Sequence, residues 1–437
     1  MNVALVKSTA ERPLDDVFVA ARDRLPGNGA VAEARQAAFD AFARQGLPHR
    51  RIEEWKYTDL RALLREIAPL AGAPDQAALA RAKAAAASLG MAETRALVLV
   101  DGVFAAELSD LAGLESGLHV HSLREALAAG NVAALQSGVA SDAMTALNAA
   151  MATDGVVIDV AAGAVLEKPL HIIHVAVASS ASSFTRSRFS IGKGARVTLV
   201  ESFVAAAGAA AYQASDALFV DIGDEVELQH VRLMEDARDA ANITSGIFTL
   251  GAKARFNTFN LTSGGGVSRY QGFVTFNGEG SELTTNGVNL LGGRRHGDTT
   301  LVVDHAVPHC TSREVFRSVL DDSGHSVFQG RIIVRPDAQK TDGKMMTRAL
   351  LLSDDAEIDN KPELEIFADD VTCGHGATAG ALDESLLFYL RARGLPEKEA
   401  QALLITAFVG EAIESIVDDD LRDVAVAAAE RWLTSRG

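Results

Sequence analysis

Residues 243–290 read ITSGIFTLGAKARFNTFNLTSGGGVSRYQGFVTFNGEGSELTTNGVNL, and this stretch decides the fold. Its segments Ile243–Leu250, Ala254–Leu261, Ser268–Phe276 and Glu282–Leu290 are rich in Val, Ile, Thr and Phe and alternate apolar with polar residues. That period of two is the mark of β-strands. Upstream, Val156–Val160, Leu170–Val177, Ser183–Ile191, Val197–Val204, Ala217–Val220 and Glu225–Met234 repeat it, and Thr299–His305, Glu314–Leu320, Ser326–Val334 and Met346–Leu352 continue it downstream. Glycine turns separate the segments, at Gly192-Lys193-Gly194, Gly223-Asp224, Gly251, Gly278-Glu279-Gly280, Gly297-Asp298 and Gly324. Gly223, Gly251 and Gly278 stand 28 and 27 residues apart, and Gly297 and Gly324 again 27, a spacing inside the range of solenoid repeats. No helix-length apolar period interrupts Val156–Phe367, which argues against alternating βαβ units.

Two architectures fit, a parallel β-helix and an antiparallel sandwich or barrel. The small polar residues favour the coil. Thr249, Asn257, Thr258, Asn260, Thr262, Thr275, Asn277, Thr284, Thr285, Asn286 and Asn289 recur in or beside the strands, where they can stack or hydrogen-bond from rung to rung.

The helices lie outside this region. Asp15–Leu25, Val31–Gln45, Asp59–Ile67 and Gln76–Leu89 read as helical, with Pro26-Gly27-Asn28-Gly29, Gly46 and Pro48 as breaks. Ala96–Val100, Asp101-Gly102 and Val103-Phe104 predict a hairpin. His119–Leu123 predicts a short strand, and Leu123–Ala129 and Asp142–Ala152 predict helices. After the strands, Asp383–Arg393, Pro396–Val417 and Leu421–Thr434 predict three helices, with Leu386, Leu387 and Leu390 on one side of the first. They could cap the open end of a solenoid or form a docking module. The expected division is residues 1–153 (helical, with a small β element), 154–378 (the coil) and 379–437 (helical).

The chain has 437 residues, enough for a large core, and a formal net charge of −17. That charge disfavours nucleic acid and anionic membrane as partners. Two cysteines, Cys310 and Cys373, make no disulfide framework and suit a reducing cytoplasm. No stretch is long and apolar enough for a transmembrane helix, and Met1–Arg12 has no signal-peptide core.

Catalytic motifs are missing: no phosphate loop, no His-Glu-x-x-His, no Gly-x-Ser-x-Gly. Gly264-Gly265-Gly266 lacks the strand–helix context of a dinucleotide site. Cys373-Gly374-His375 is more suggestive, because two residues apart on a strand puts both side chains on one face. Thiolate with imidazole suits iron, zinc or copper(I), although a closed site needs about four ligands. His305-Ala306-Val307-Pro308-His309-Cys310 lies one or more rungs upstream. A β-helix enzyme acting on polysaccharide is the alternative class, but no acidic cluster for it can be assembled from sequence.

Three stretches together carry a family likeness. They are Arg50–Leu60, Asn360-Lys361-Pro362-Glu363-Leu364-Glu365-Ile366, and Val371-Thr372-Cys373-Gly374-His375-Gly376-Ala377-Thr378 with the helix that follows. With these the chain resembles the SufB/SufD family of iron–sulfur cluster assembly, and its SufD branch more than its SufB branch. The resemblance implies a mainly β fold, a right-handed parallel β-helix flanked by helical domains, and a non-catalytic scaffold role in the cytoplasm. It implies a SufB-like paralogue as partner and a SufC-like ABC ATPase docked on the C-terminal helices. It implies a transient iron or iron–sulfur cluster at the shared interface, with His375 as a ligand and Cys373 as its neighbour. Reduced flavin is associated with the family's assembled complex, and no residue here places it; no tightly bound cofactor is expected of the isolated chain. His309, Cys310, Asn360, Pro362, Glu365, Leu386, Leu387 and Leu390 are the expected partner-facing residues. A homodimer through the coil edge when the paralogue is absent is a further alternative.

Overall fold

The computed structural model describes residues 12–64, 67–91, 93–137 and 142–436. Most of the N-terminal stretch expected to lack a signal, residues 1–11, lies outside the described residues. The chain opens with helices α1 (Arg12–Ala21), α2 (Ala30–Gln45), α3 (Leu60–Leu63) and α4 (Gln76–Ala87). Strands β1 (Arg95–Val100), β2 (Val103–Phe104) and β3 (Leu118–Ser122) follow, then α5 (Leu123–Ala128) and α6 (Ala143–Met151). Side-chain caps fix several helix starts. Asp75 accepts from the Ala78 amide, and Ser122 and Glu125 form a reciprocal capping box on α5. Buried Arg35 closes the other end of α6, donating to the carbonyls of Ala150 and Ala152 at 2.9 Å each.

The solenoid strands are β4 (Val156–Val160), β5 (Leu170–Ala176), β6 (Ser182–Ile191), β7 (Arg196–Ala205), β8 (Gln213–Ile222), β9 (Glu227–Glu235), β10 (Ala241–Leu250) and β11 (Arg255–Thr262). They continue as β12 (Val267–Phe276), β13 (Glu282–Leu291), β14 (His296–His305), β15 (Thr311–Leu320), β16 (His325–Val334), β17 (Asp342–Leu351), β18 (Glu357–Ile366) and β19 (Thr372–Gly380). Even-numbered strands stack in order in one sheet and odd-numbered strands in the other. Each coil therefore contributes one strand to each sheet. Every pairing from β4 to β19 is parallel, which settles the choice between coil and sandwich. β1 extends the second sheet in parallel beside β5, while β3 closes the first sheet antiparallel to β4.

The repeat is not constant. Arg255 pairs with Glu282, 27 residues on, but Ala241 pairs with Val267, 26 on, and His325 with Glu357, 32 on. The glycine period is real at one corner only. A Cβ on Gly223 would sit 2.6 Å from the Ile191 carbonyl, one on Gly251 2.7 Å from the Asp224 amide, and one on Gly278 2.0 Å from the Ala252 amide. Backbone stacks on backbone there with no room for a side chain. Gly297, expected in a turn, lies inside β14 between Ser268 and Ser326. Its small size there makes room for Leu291, whose Cδ1 would be 2.8 Å from an added Cβ.

Between the sheets, Leu218, Val220, Phe248, Phe256, Val274 and Leu283 form part of one continuous buried core. The outer face of the first sheet is covered by the N-terminal helices, where Phe39, Phe42, Trp55 and Leu147 pack on Phe184 and Ile243. Strands expected in the last coil stopped at Leu352, yet β18 and β19 complete a further turn. The C-terminal helices are α7 (Glu384–Ala392), α8 (Glu397–Ile413) and α9 (Asp419–Thr434). They do not cap the solenoid. Ile405, Val409, Ala425 and Trp432 pack on Val231, Phe259, Leu261 and Val288 along the outer face of the second sheet. Arg317 of β15 pins Glu411 of α8 to that face.

One interior carboxyl is costly. Glu314 is sealed between the sheets, and burial pushes it up to about 8, the Ser312 side chain opposing. The folded chain holds this proton more tightly than the unfolded chain. The associated stabilisation is present in full below pH ~4.5 and is lost as pH rises through about 8, a difference on the order of a few kcal/mol. Glu314→Gln is therefore expected to raise the unfolding midpoint at pH 8 and to leave it nearly unchanged at pH 4.5, measured by thermal unfolding across that range. At the glycine corner, Gly278→Ala is expected to cost about 2 kcal/mol. Gly410→Ala, in α8 with open space around it, is expected to be neutral or to stabilise by up to about 1 kcal/mol. Denaturant unfolding of the two variants compares them directly.

Candidate functional site

The last coil leaves two strand edges unpaired among the described residues, β18 in the first sheet and β19 in the second. Their backbones differ. In β18 the Glu357 amide donates to Gly324 and the Phe367 amide to Val334, so odd-numbered amides face back into the sheet. Even-numbered positions face the open edge, and there Pro362 has no N–H to offer. In β19 the Thr372 amide donates back to Thr341 at 2.9 Å. The amides of Cys373, His375, Ala377 and Ala379 thus point out of the end in an unbroken row.

Cys373 and His375 do share a face, and it is the face between the sheets. Cys373 aligns with Gly343 and Ser312, and His375 with Met345 and Glu314. Cys373 is half-buried against the core, whereas His375 is exposed at the mouth of the solenoid. Burial pushes the Cys373 thiol up, a backbone hydrogen bond at Gly343 opposing, so the isolated chain carries a thiol rather than a thiolate at neutral pH. The two flanking glycines differ in purpose. A Cβ at Gly376 would lie 2.7 Å from Met346 Cε, so this glycine serves the chain's own packing. Gly374 faces open space.

The upstream group does not join this pair. His305 points into the core, stacked on Phe276 at 4.4 Å with Nε2 3.1 Å from the Ser312 hydroxyl. His309 is exposed in a left-handed turn, φ 61°. Cys310 is fully buried, its Sγ 3.5 Å from the carbonyls of Gly278 and Pro308, and burial raises its thiol as well. It precedes β15, two strands behind the open edge. Among the described residues, no cluster of three metal-binding side chains includes Cys373, His375, His309 or Cys310.

Of the other expected partner-facing residues, Asn360 turns inward and accepts from Thr347 at 3.1 Å, and Pro362 shares its face. Glu365 points outward to Arg331, 3.4 Å away. Leu386, Leu387 and Leu390 do not form one buried stripe. Leu387 and Leu390 are half-buried, while Leu386 is 51% exposed beside Phe388 at 74% and Tyr389 at 54%. No residue of α7 is buried. Phe388 and Tyr389 escaped the sequence reading because they break the helical period that marks a packed face.

The Arg50–Leu60 segment has a role that charge and aromatics only hinted at. Trp55 is buried with the Arg269 guanidinium 3.8 Å above its ring, and Arg269 also reaches the Glu54 carbonyl at 2.7 Å. Arg269 pairs with buried Asp298, which also accepts a hydrogen bond from the Thr58 hydroxyl. Thr58 meets His296 at 2.9 Å, His296 meets His325 at 3.2 Å, and His325 meets Asp359 of β18 at 2.9 Å. Glu53 pairs with Lys361 at 2.5 Å. The segment thereby straps β12, β14, β16 and β18 together behind the open edge.

No helix among the described residues is long and apolar enough to cross a membrane. Two family models match in series: "SufBD protein N-terminal region" over residues 11–172 and "SUF system FeS cluster assembly, SufBD core domain" over residues 174–408. The chain is 31% identical to the iron–sulfur cluster assembly protein SufD of Escherichia coli strain K12, over 90% of each chain. It is 29% identical to a SufBD family protein of Synechocystis, over 94% of each. It is 26% identical to SufD of Bacillus subtilis, over 66% of each. The family is non-catalytic, in place of the carbohydrate-enzyme alternative, and membership is consistent with a scaffold role in iron–sulfur cluster assembly. An open β-solenoid with Cys373-Gly374-His375 on its last strand, matched along nearly its whole length by these models and relatives, places this chain in the SufBD family.

Proposed function

We propose that this chain is the SufD-type half of a paired scaffold, joined to a SufB-like paralogue at the open end of its solenoid. The observation that carries the reading is the unbroken row of outward amides on β19, with His375 at the mouth beside it. A second strand laid on that edge would satisfy the free donors and bring the partner's side chains against His375. Cys373 and His375 supply at most two ligands, so the remaining ones for a nascent iron or iron–sulfur cluster come from the partner, sulfide or solvent. In this reading the cluster is cargo, and the chain's part is to hold one imidazole where the cargo is built. A SufC-like ABC ATPase fits the exposed face of α7, where Leu386, Phe388 and Tyr389 have no cover from the described chain.

The test reconstitutes the three-component complex anaerobically. With His375→Ala the complex is expected to assemble nearly normally yet retain less than about half the iron and sulfide. Cys373→Ser is expected to have a smaller or equal effect. Full cluster content and full transfer to an acceptor in the His375 variant would remove the ligand assignment. Removing all of residues 383–437 would strip Ile405, Val409 and Trp432 from the second sheet, so point substitutions probe the ATPase site more cleanly. Phe388→Glu is expected to weaken ATPase capture by at least about tenfold without lowering the unfolding midpoint. Unchanged capture would move the docking site elsewhere.

A further inference from the structure

A second group of side chains able to hold a metal lies inside the solenoid, Glu201 and Asp216 buried and His174 partly so, far along the coil from His375. His174 of β5 and Glu201 of β7 point inward from the second sheet, and Asp216 of β8 faces them from the first. One ligand atom of each lies within 4.8 Å of the others. We propose that His174, Glu201 and Asp216 bind a divalent transition-metal ion of the zinc, iron(II) or manganese class, held inside the coil and separate from the open end.

The groups around the trio are already spoken for. Glu201 accepts from His230 at 2.9 Å and lies 3.6 Å from the Arg232 guanidinium. Asp216 accepts from the Thr185 hydroxyl at 2.6 Å. His174 is the exception. Its ring is held flat against Phe203, centroids 4.2 Å apart, yet its Nε2 is sealed from solvent with no hydrogen-bond partner. A buried polar nitrogen left unpartnered costs about 1–3 kcal/mol, and such orphans call for an occupant. His174 and Asp216 both line a small cavity of about 20 Å³, space for one ion or one water.

The donor set selects the ion class. One imidazole and two carboxylates, with no thiolate, suit borderline divalent ions; copper(I) prefers sulfur, and calcium and magnesium prefer oxygen alone. Tetrahedral ligands at about 2.0–2.2 Å from zinc stand about 3.3–3.6 Å from one another, so a pair at the 4.8 Å limit closes by about 1.2–1.5 Å when the ion binds. Three protein ligands leave the fourth position of a tetrahedral site open. Glu201 is oriented from behind by His230 and Arg232, and Asp216 by Thr185, the outer support that metal carboxylates require.

Cobalt(II) serves as the probe because its visible bands report coordination directly. The full-length chain is stripped with chelator and titrated with Co²⁺ alone, in a Cys373→Ser/His375→Ala background that removes the ligands at the mouth. A third substitution, His325→Ala, disables the partly exposed His325–Glu357–Asp359 group. One equivalent of Co²⁺ is expected to bind with low-coordinate visible bands and to be displaced by Zn²⁺. His174→Ala and Asp216→Asn are each expected to weaken binding at least about 100-fold while the circular dichroism spectrum stays native. Asp216→Asn keeps the shape of the side chain, and His174→Ala removes a group that is already orphaned, so the pair guards against a variant that fails to fold. Uptake weaker than millimolar in the parent, or uptake that both substitutions leave unchanged, overturns the assignment.

Discussion

Parallel, in-register stacking of one coil on the next is the constraint on which the rest of this structure depends. It fixes which side chains share a column, because each residue sits directly over its counterpart one coil away. Inward columns must then be apolar or internally satisfied along their whole length. One inward column runs Leu199, His230, Thr258, Thr285, Glu314, Met345 and His375. His230 and Thr258 satisfy each other at 3.0 Å, whereas Glu314 remains sealed and holds its proton. Stacking also explains the glycine corner. Where the backbone of one coil lies on the backbone of the next, even a methyl group has nowhere to go.

A flattened two-sheet coil has two broad faces and two ends, and each is treated differently. The outer faces carry apolar patches that the chain's own helices cover, the N-terminal set on one and α8 with α9 on the other. The first coil is closed by β2 and β3 turning antiparallel. Only the last coil is left without cover from the described chain. The strap of Glu53, Glu54, Trp55 and Thr58 lies just behind it and ties β12 through β18 into one unit. The fully buried ion pair it covers, Arg269–Asp298, adds less to stability than to a unique geometry, because desolvation offsets most of the attraction, while Glu53–Lys361 and Glu54–Arg331 are partly exposed.

The strands of the middle coils were legible because each has one face in the core and one under helices or solvent, so apolar and polar residues alternate. The end of the solenoid was not. β18, Glu-Ile-Asp-Asn-Lys-Pro-Glu-Leu-Glu-Ile, carries charge and a proline, and β19 is mostly glycine, alanine and threonine. An edge strand has little to bury, so the burial signal that betrays a strand is absent there. Cys373 and His375 could be placed on one face from spacing alone, but not at the mouth. Spacing also placed the group from His305 to Cys310 one or more rungs upstream without fixing which of its side chains face them. In fact the coil carries Cys310 two strands back and buries it. The interior trio of His174, Glu201 and Asp216 gave no sequence signal, because its members come from three strands and meet only when the two sheets close.

The weak strand signature of the last coil and its suitability for a partner have one physical origin. A strand that must accept another chain cannot be buried by its own. It must also avoid pairing with every edge it meets, and the two edges here divide that task. β18 interrupts its free donors at Pro362 and points Glu357, Lys361, Glu363 and Glu365 outward, a row of charge that discourages indiscriminate pairing. β19 has no proline, and its small side chains let a second backbone approach. Of the two edges, the one that carries Cys373 and His375 is therefore the more open to strand addition. On the far side, β18 is locked in place through Asp359 and Lys361 to the N-terminal strap. A partner laid on β19 would meet a rigid platform, and the position of the imidazole would be set by the coils behind it rather than by the partner.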